Sequence, residues 1–502
     1  MTYAELAITT NYSFLRGASH PKEFAVAGTL QGHYAIGIAD RNTLAGVVRA
    51  YDELQNPRLP KNKPRLLIGS RLVFRDGTPD ILAYPTDRAA YGRLCRLLSM
   101  GKLRAKKGEC HLDFADLFSW HEGLLFILMP PEKPGEETRS TLELLAQIAH
   151  GRVWLAAARL HRGNDRKRLR DLQHLAETRR VPLIAVNDVL YHAAERRQLQ
   201  DVVTCIREHM TLDQAGKRLQ ANAERHLKPP EEMARLLRDY PHAIAETIRF
   251  AQRISFTLDQ LKYNYPDEPI PPGKTAQNHL EDLTWQGADN RYPQGVPDSV
   301  RDTLCKELAL IENRQYAHYF LTVHDIVRFA NEKNILCQGR GSAANSAVCY
   351  VLGITAVDPL QIDLLFERFV SEKRAEPPDI DVDFEHERRE EVIQYIYKRY
   401  GHERAALTAT VICYRPRSAI REVGKVFGLT EDVTAALASG VWGSWGSMLK
   451  EHEVRQGNFD PHNLVIARAV LLANELIGFP RHLSQHVGGF VLSRDRLDEI
   501  VP

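Results

Sequence analysis

The sequence predicts an α/β multidomain protein, and three observations carry that expectation. Short apolar runs alternate with helix-like stretches through the first half, a proline cluster then interrupts the pattern, and a glycine-rich turn and an acidic strand follow it. At 502 residues the chain exceeds one ordinary core and suggests two to four domains. Hydrophobic residues at 44% and charged residues at 26% give a globular balance and argue against extended disorder.

In the first domain, the runs 34–39, 65–74, 123–129, 153–157 and 181–186 read as strands. Their alternation with helix-like segments implies a largely parallel sheet or barrel. From Glu195 to Phe256 the periodicity is helical, so a helical extension closes this domain. Pro266, Pro269, Pro271 and Pro272 cannot continue a helix, because proline lacks the amide hydrogen and clashes with the preceding turn. A boundary is expected there. Beyond it, 300–312 and 322–333 read as amphipathic helices leading into the region that carries chemistry.

The net charge of +2 means that any polyanion site must come from local arrangement. Lys102, Arg104, Lys106 and Lys107 form one basic cluster, and Arg166, Lys167, Arg168 and Arg170 another; solvated helix faces are the expected explanation of both, with phosphate contact the alternative. The seven cysteines lack CxxC spacing and read as reduced cytosolic thiols, and no signal peptide or apolar run of membrane-spanning length is present. The expected location is cytoplasmic.

The first motif is Gln338-Gly339-Arg340-Gly341-Ser342-Ala343-Ala344-Asn345-Ser346, between a strand-like run and the helix-like 347–352. Small residues let the backbone approach an anion, and free amides of the following helix point at it. Arg340 adds a forked donor, and Ser342 a hydroxyl and a helix cap. A glycine-rich turn selected for its backbone angles is the alternative.

The second motif is Pro377-Pro378-Asp379-Ile380-Asp381-Val382-Asp383-Phe384. In a strand the three aspartates share one face at about 6.6 Å spacing, while Ile380, Val382 and Phe384 fill the other. Two carboxylates at that distance repel by roughly 2.5 kcal/mol at an effective dielectric near 20, so a divalent cation is the natural compensation. Oxygen-only ligands suit magnesium, and an acidic edge strand kept charged against aggregation is the alternative. Together, a phosphate cradle and a carboxylate strand are what two-metal nucleotidyl transfer requires. Between them Arg368 is placed to neutralise phosphate charge, or to pair with a neighbouring acid such as Glu367. A helix over 387–400 ends at Gly401, and Arg415, Arg417, Arg421 and Lys425 suit either a DNA backbone or a solvated face.

Gly339-Arg340-Gly341-Ser342, then Leu365-Phe366-Glu367-Arg368-Phe369, then Pro378-Asp379-Ile380-Asp381-Val382-Asp383-Phe384 resemble the palm of bacterial family C DNA polymerases, the polymerase III alpha subunits. The resemblance runs from Tyr12-Ser13-Phe14-Leu15 to His486-Val487-Gly488-Gly489. It implies Asp379 and Asp381 as catalytic metal ligands for two Mg2+ ions, with Asp383 as a further candidate. It also implies that Gly339, Arg340, Gly341, Ser342 and Arg368 hold the nucleotide phosphates. The implied domains are a PHP-like barrel with helical extension at 1–260, a linker at 261–275, a palm at 276–404, a helical thumb at 405–477 and a returning palm segment at 478–502.

In metal-binding relatives of the first domain the opening strand carries His-x-His, where this sequence has Ala7 and Thr9. The Asp-His pair appears as Asp40-Arg41, the Gly-Ala-Glu as Gly69-Ser70-Arg71 and the Asp-Val-His as Asp188-Val189-Leu190. Methyl, guanidinium and isobutyl groups cannot hold a catalytic metal cluster, so no phosphoesterase or proofreading activity is expected there, and the error-prone branch is favoured. The resemblance further implies primer-template DNA and deoxynucleoside triphosphates as substrates in damage-tolerant synthesis and repair, with a sliding clamp and mutagenesis accessory proteins as partners. The family's third catalytic aspartate lies downstream of His-x-Gly-Gly, beyond Pro502, so this portion by itself is expected to be inactive. A noncatalytic module binding DNA or a polymerase accessory protein is the rival expectation.

Overall fold

The computed structural model describes residues 2–358, 380–439 and 448–502, and the chain divides into two compact units. The first comprises Met1–Leu261, Ala409–Ser484 and Asp498–Pro502; the second comprises Lys262–Thr408 and Gln485–Leu497.

The first unit is built on seven strands paired in sequence order: β1 (Ala4–Ile8), β2 (Ala35–Arg41), β3 (Arg65–Leu72), β4 (Ile81–Pro85), β5 (Leu124–Leu128), β6 (Val153–Ala157) and β7 (Leu183–Ala185). β1, β2 and β3 run parallel, β4 is antiparallel to both its neighbours, and β5, β6 and β7 are again parallel. Just past β7, the Val189 amide donates to the Ala7 carbonyl at 2.8 Å and the Thr9 amide to the Val189 carbonyl at 2.9 Å. Those two bonds bring the sheet back onto its first strand, giving a nearly closed barrel.

The strand sequences are apolar on both faces, as a sheet covered on both sides requires. Leu67, Leu82, Tyr84, Leu125, Ile127 and Trp154 form one cluster, while Ile36, Ile68, Ile81, Phe126, Leu128 and Leu155 join the other with the surrounding helices. Each such side chain contributes roughly 1.5–3 kcal/mol on burial. The five apolar runs fall on β2, β3, β5, β6 and β7; β4, which ends in proline, is not among them, and β1 is expected only as the opening strand that the resemblance implies.

A helical layer completes this unit. Arg197–Glu208 buries Val202, Val203 and Ile206 in one cluster with Ile420 and Val423 of the helix Pro416–Val426 and Leu472 and Leu476 of the helix Leu464–Leu476. The region expected as a separate thumb thus lies largely within the first unit. Arg196 ties the layer together, reaching Glu23 at 2.6 Å and Glu475 at 3.3 Å.

In the second unit the helices Ala276–Arg291, Asp298–Asn313 and Ala317–Glu332 enclose a core of Leu280, Leu304, Leu308, Ile311 and Phe320. The hairpin-like pair β8 (Cys337–Arg340) and β9 (Asp381–Phe384) lies antiparallel. The helix Arg389–Tyr400 ends at Gly401 with φ +79°, and its Tyr395 ring stacks on Phe329 at 3.9 Å. β10 (Ala405–Cys413) and β11 (Pro480–Leu492) pair with each other.

One buried acid helps to anchor the proline-rich segment. Glu268, 6% exposed, accepts from the Thr322 hydroxyl at 2.8 Å, from Arg399 Nη2 at 2.5 Å and from the Tyr400 hydroxyl at 2.5 Å. Arg399 also pairs with Asp325 at 3.0 Å. Prolines prevent secondary structure here, and this carboxylate supplies one attachment beside that of Asn264, which donates to Asp495 at 2.7 Å and accepts from the Arg494 amide at 3.0 Å.

Candidate active site

The glycine motif leaves β8 at Arg340 and turns through a short 3-10 helix, Gly341–Asn345, into the helix Ala347–Val351. Glycine is required at two points. A Cβ on Gly339 would lie 2.5 Å from the Ile354 carbonyl oxygen, whose acceptance of the Gly339 amide at 2.8 Å fixes the approach. Gly341 has φ +69°, which an L side chain adopts only with strain.

The acidic motif enters on the adjacent strand. In β9, Asp381 and Asp383 are exposed while Val382 and Phe384 are partly buried, so the alternation of acid and apolar faces holds for these four residues. The register sets Arg340 opposite Asp381 and Gln338 opposite Asp383. A Cβ built on Gly341 would lie 3.5 Å from Asp381 Oδ2, so this carboxylate sits against the glycine turn. Arg340 Nε contacts Asp383 Oδ2 at 3.0 Å. Asp379 and Arg368, and the side chain of Ser342, lie outside the described residues. No group of three or more potential ligands from His, Cys, Asp and Glu is close enough to hold a metal among the described residues.

One expectation is corrected. The amides opening the helix after the turn do not face outward for an anion, because a carboxylate of the protein already occupies them. Glu307, 1% exposed, accepts from the Ala347 amide at 2.9 Å, the Val348 amide at 3.0 Å and the Ser346 hydroxyl at 2.8 Å. Ser346 caps this helix, accepting from the Cys349 amide at 3.1 Å. A buried carboxylate at a helix N-terminus satisfies orphan amides and the helix dipole together. Any phosphate contact therefore falls to the turn itself and to Arg340. The sequence carries a signal for Glu307: it lies on the same apolar stripe as Val300, Leu304, Leu308 and Ile311.

In the first unit, the positions matched to metal ligands hold a hydrogen-bonded arrangement of another kind. Ala7 and Thr9 form the barrel seam described above, and Leu190 is buried with its amide on the Arg225 carbonyl at 2.8 Å. Asp40 accepts from the Thr10 amide and hydroxyl, both at 2.7 Å, and from the Ser13 hydroxyl at 2.6 Å. Burial pushes its carboxyl up to about 6 against those bonds. Arg41 is exposed at the end of β2.

Arg71 pairs with Asp80 at 3.4 Å and with Asp188, and Arg225 Nη2 reaches Asp188 at 2.5 Å. Burial raises the Asp188 carboxyl, but Arg225 and Arg71 outweigh it and hold the group below the usual carboxylate range. These residues line a cleft of about 500 Å³. A second basic cluster is also structural in part: Arg168 is buried and donates to the carbonyls of Ala158, Pro130, Pro131 and Glu132.

The family described as the bacterial DNA polymerase III alpha NTPase domain matches residues 278–502. An error-prone DNA polymerase of Rhodopseudomonas palustris (strain BisB5) is 66% identical over 100% of this chain and 45% of its own length. One from Bradyrhizobium diazoefficiens is 63% identical over 100% of this chain and 44% of its own. Among solved structures, an amidohydrolase from Chromobacterium violaceum is similar over 38% of this chain and 87% of its own, at 14% identity and a TM-score of 0.28. The chain thus spans a little under half the length of the curated relatives it matches. No helix among the described residues is long and apolar enough to cross a membrane.

Proposed function

We propose that the chain is a member of the bacterial DNA polymerase III alpha family and the N-terminal portion of an error-prone, template-directed DNA polymerase. Its substrates are primer-template DNA and deoxynucleoside triphosphates. The observation that supports this most directly is the Asp381 carboxylate set against the Gly341 turn on neighbouring antiparallel strands.

Asp379 and Asp381 are the proposed holders of magnesium. When bound, divalent metal activates the attacking oxygen and stabilises the leaving one in an in-line displacement. The donor chemistry of the exposed face of β9 fits such an ion: hard carboxylate oxygens, with room for water and phosphate. Gly339, Gly341 and Ser342 let the backbone approach the triphosphate, and Arg340 and Arg368 offer guanidinium donors to its oxygens. On this reading residues 276–404 serve as the palm and 405–477 as the thumb. The first unit is, on the same reading, a PHP-type barrel whose ligand-matched positions carry Ala7, Thr9, Arg41, Arg71 and Leu190, so that its role is structural.

Primer extension by the longer protein, with Mg2+ and four deoxynucleotides, tests the proposal. Asp379→Ala and Asp381→Ala each abolish extension while leaving the melting temperature near that of the parent. Undiminished extension by either variant would remove its metal role.

A further inference from the structure

The contact between Arg340 and Asp383 carries an inference that rests on the polymerase reading above. Directly opposed residues of an antiparallel pair have Cβ atoms about 4.5–5.5 Å apart, and diagonal neighbours stand about 7–8 Å apart. Arg340 is directly opposed to Asp381, yet its guanidinium pairs along the diagonal with Asp383, Nε to Oδ2 at 3.0 Å. Among the described residues no cation pairs with Asp381, whose carboxylate faces the Gly341 turn. The two aspartates of β9 share a face and differ in what neutralises them.

We infer that Asp383 is a positioning residue: it holds the Arg340 guanidinium at the rim of the Gly341 turn for an incoming triphosphate, and leaves cation binding to Asp381. A dication on Asp383 would have to approach a guanidinium already 3.0 Å from that carboxylate. A guanidinium whose Nε lies against one carboxylate oxygen as an ion pair still presents its two terminal amino groups, the fork that suits phosphate oxygens. The side chains are 64% and 63% exposed, and a pair so open to solvent adds little to folding. What the pair does accomplish is to restrict where a long side chain points.

The test uses the 502-residue chain with Mn2+ and dATP as probes. Mn2+ binding is read by electron paramagnetic resonance, dATP binding by calorimetry in the presence of Mn2+, and folding by the melting temperature of each variant. Asp383→Ala and Arg340→Gln each weaken dATP binding about tenfold, and the double variant is no weaker than either alone. Asp383→Asn, which keeps the side chain's shape but not its charge, weakens dATP binding as Asp383→Ala does, because the contact is an ion pair. Mn2+ affinity stays within about twofold in Asp383→Ala and falls at least about tenfold in Asp381→Ala.

An Mn2+ loss in Asp383→Ala equal to that in Asp381→Ala would make Asp383 a ligand and overturn the inference. Additive dATP losses in the double variant, or no dATP binding by the parent chain, would overturn it as well. Failure of the polymerase reading shows separately, as primer extension that survives Asp381→Ala in the longer protein.

Discussion

Glu307 accepts the hydroxyl hydrogen of Ser346 at 2.8 Å and, through the same carboxylate, binds the two amides that follow. The anion position at that helix terminus is therefore filled by the fold itself. Removing the carboxylate strands three buried donors, and each unsatisfied group costs about 1–3 kcal/mol. Glu307→Ala is expected to lower the unfolding free energy of the second unit by about 3 kcal/mol, and Glu307→Gln by less, in urea titrations.

Arg71 occupies the first unit as a cation between two acids. Arg71→Ala leaves Asp80 without this partner and Asp188 with Arg225 alone. Breaking a buried pair by deleting one member typically costs about 3–5 kcal/mol, and the remaining Arg225 contact should hold the loss near about 2–3 kcal/mol. Calorimetric unfolding would measure it. An unchanged melting temperature would show that the network does not hold the barrel together.

His33 gives a pH prediction with a definite sign. Its ring is buried beside Tyr3, and burial depresses its pKa from 6.5 to about 4. Between those values the unfolded chain binds a proton that the folded protein does not, so this group removes stability as pH falls through that window. His33→Phe carries no such proton. The stability of the variant relative to the parent should rise by about 1.4 kcal/mol per pH unit between roughly pH 6.5 and 4, and stay constant above pH 7. Denaturant melts at half-unit intervals would show it.

The two glycines of the turn should respond differently to alanine. At Gly339 the new methyl meets backbone, the Ile354 carbonyl oxygen, which cannot swing away. At Gly341 the space is open to 3.5 Å and the penalty is the positive φ alone. Gly341→Ala is expected to cost about 1 kcal/mol. Gly339→Ala should cost about 2–3 kcal/mol and distort the β8–β9 pair, visible as lost amide-exchange protection at Asp383, which lies opposite Gln338.

Glu268→Ala should loosen the proline-rich segment around that residue. The variant withdraws the acceptor shared by Thr322, Arg399 and Tyr400. Limited proteolysis should then cut within residues 262–274 about tenfold faster than in the parent, with the cut mapped by mass spectrometry.

Where the chain is legible from sequence, a local rule determines the outcome. Apolar runs fixed five barrel strands, and two-residue alternation separated Asp381 and Asp383 from Val382 and Phe384. Positive φ and close approach explain Gly341 and Gly339, the turn that the glycines announced. What escaped depends on distant partners. Periodicity marks Ile420 and Val423 as one helix's buried face but does not say that Val202 and Val203 cover it. Glu307 lies some forty positions from the amides it binds, and only its place on an apolar stripe hints at a buried partner. The diagonal choice of Arg340 depends on rotamer as well as register, and so was not readable from spacing.

The mixed helical cluster has a consequence for how the protein comes into being. The helix Arg197–Glu208 leaves the ribosome long before the helices Pro416–Val426 and Leu464–Leu476 that share its cluster. At ~5–20 residues per second, the roughly 150 residues separating Leu261 from Ala409 occupy about 8–30 s of synthesis. Through that interval Val202, Val203 and Ile206 await their later-made neighbours, which makes the nascent chain sticky and gives chaperones a defined surface to shield. The same geometry means that cutting the gene after codon 261 would yield a soluble barrel only with that helix face redesigned.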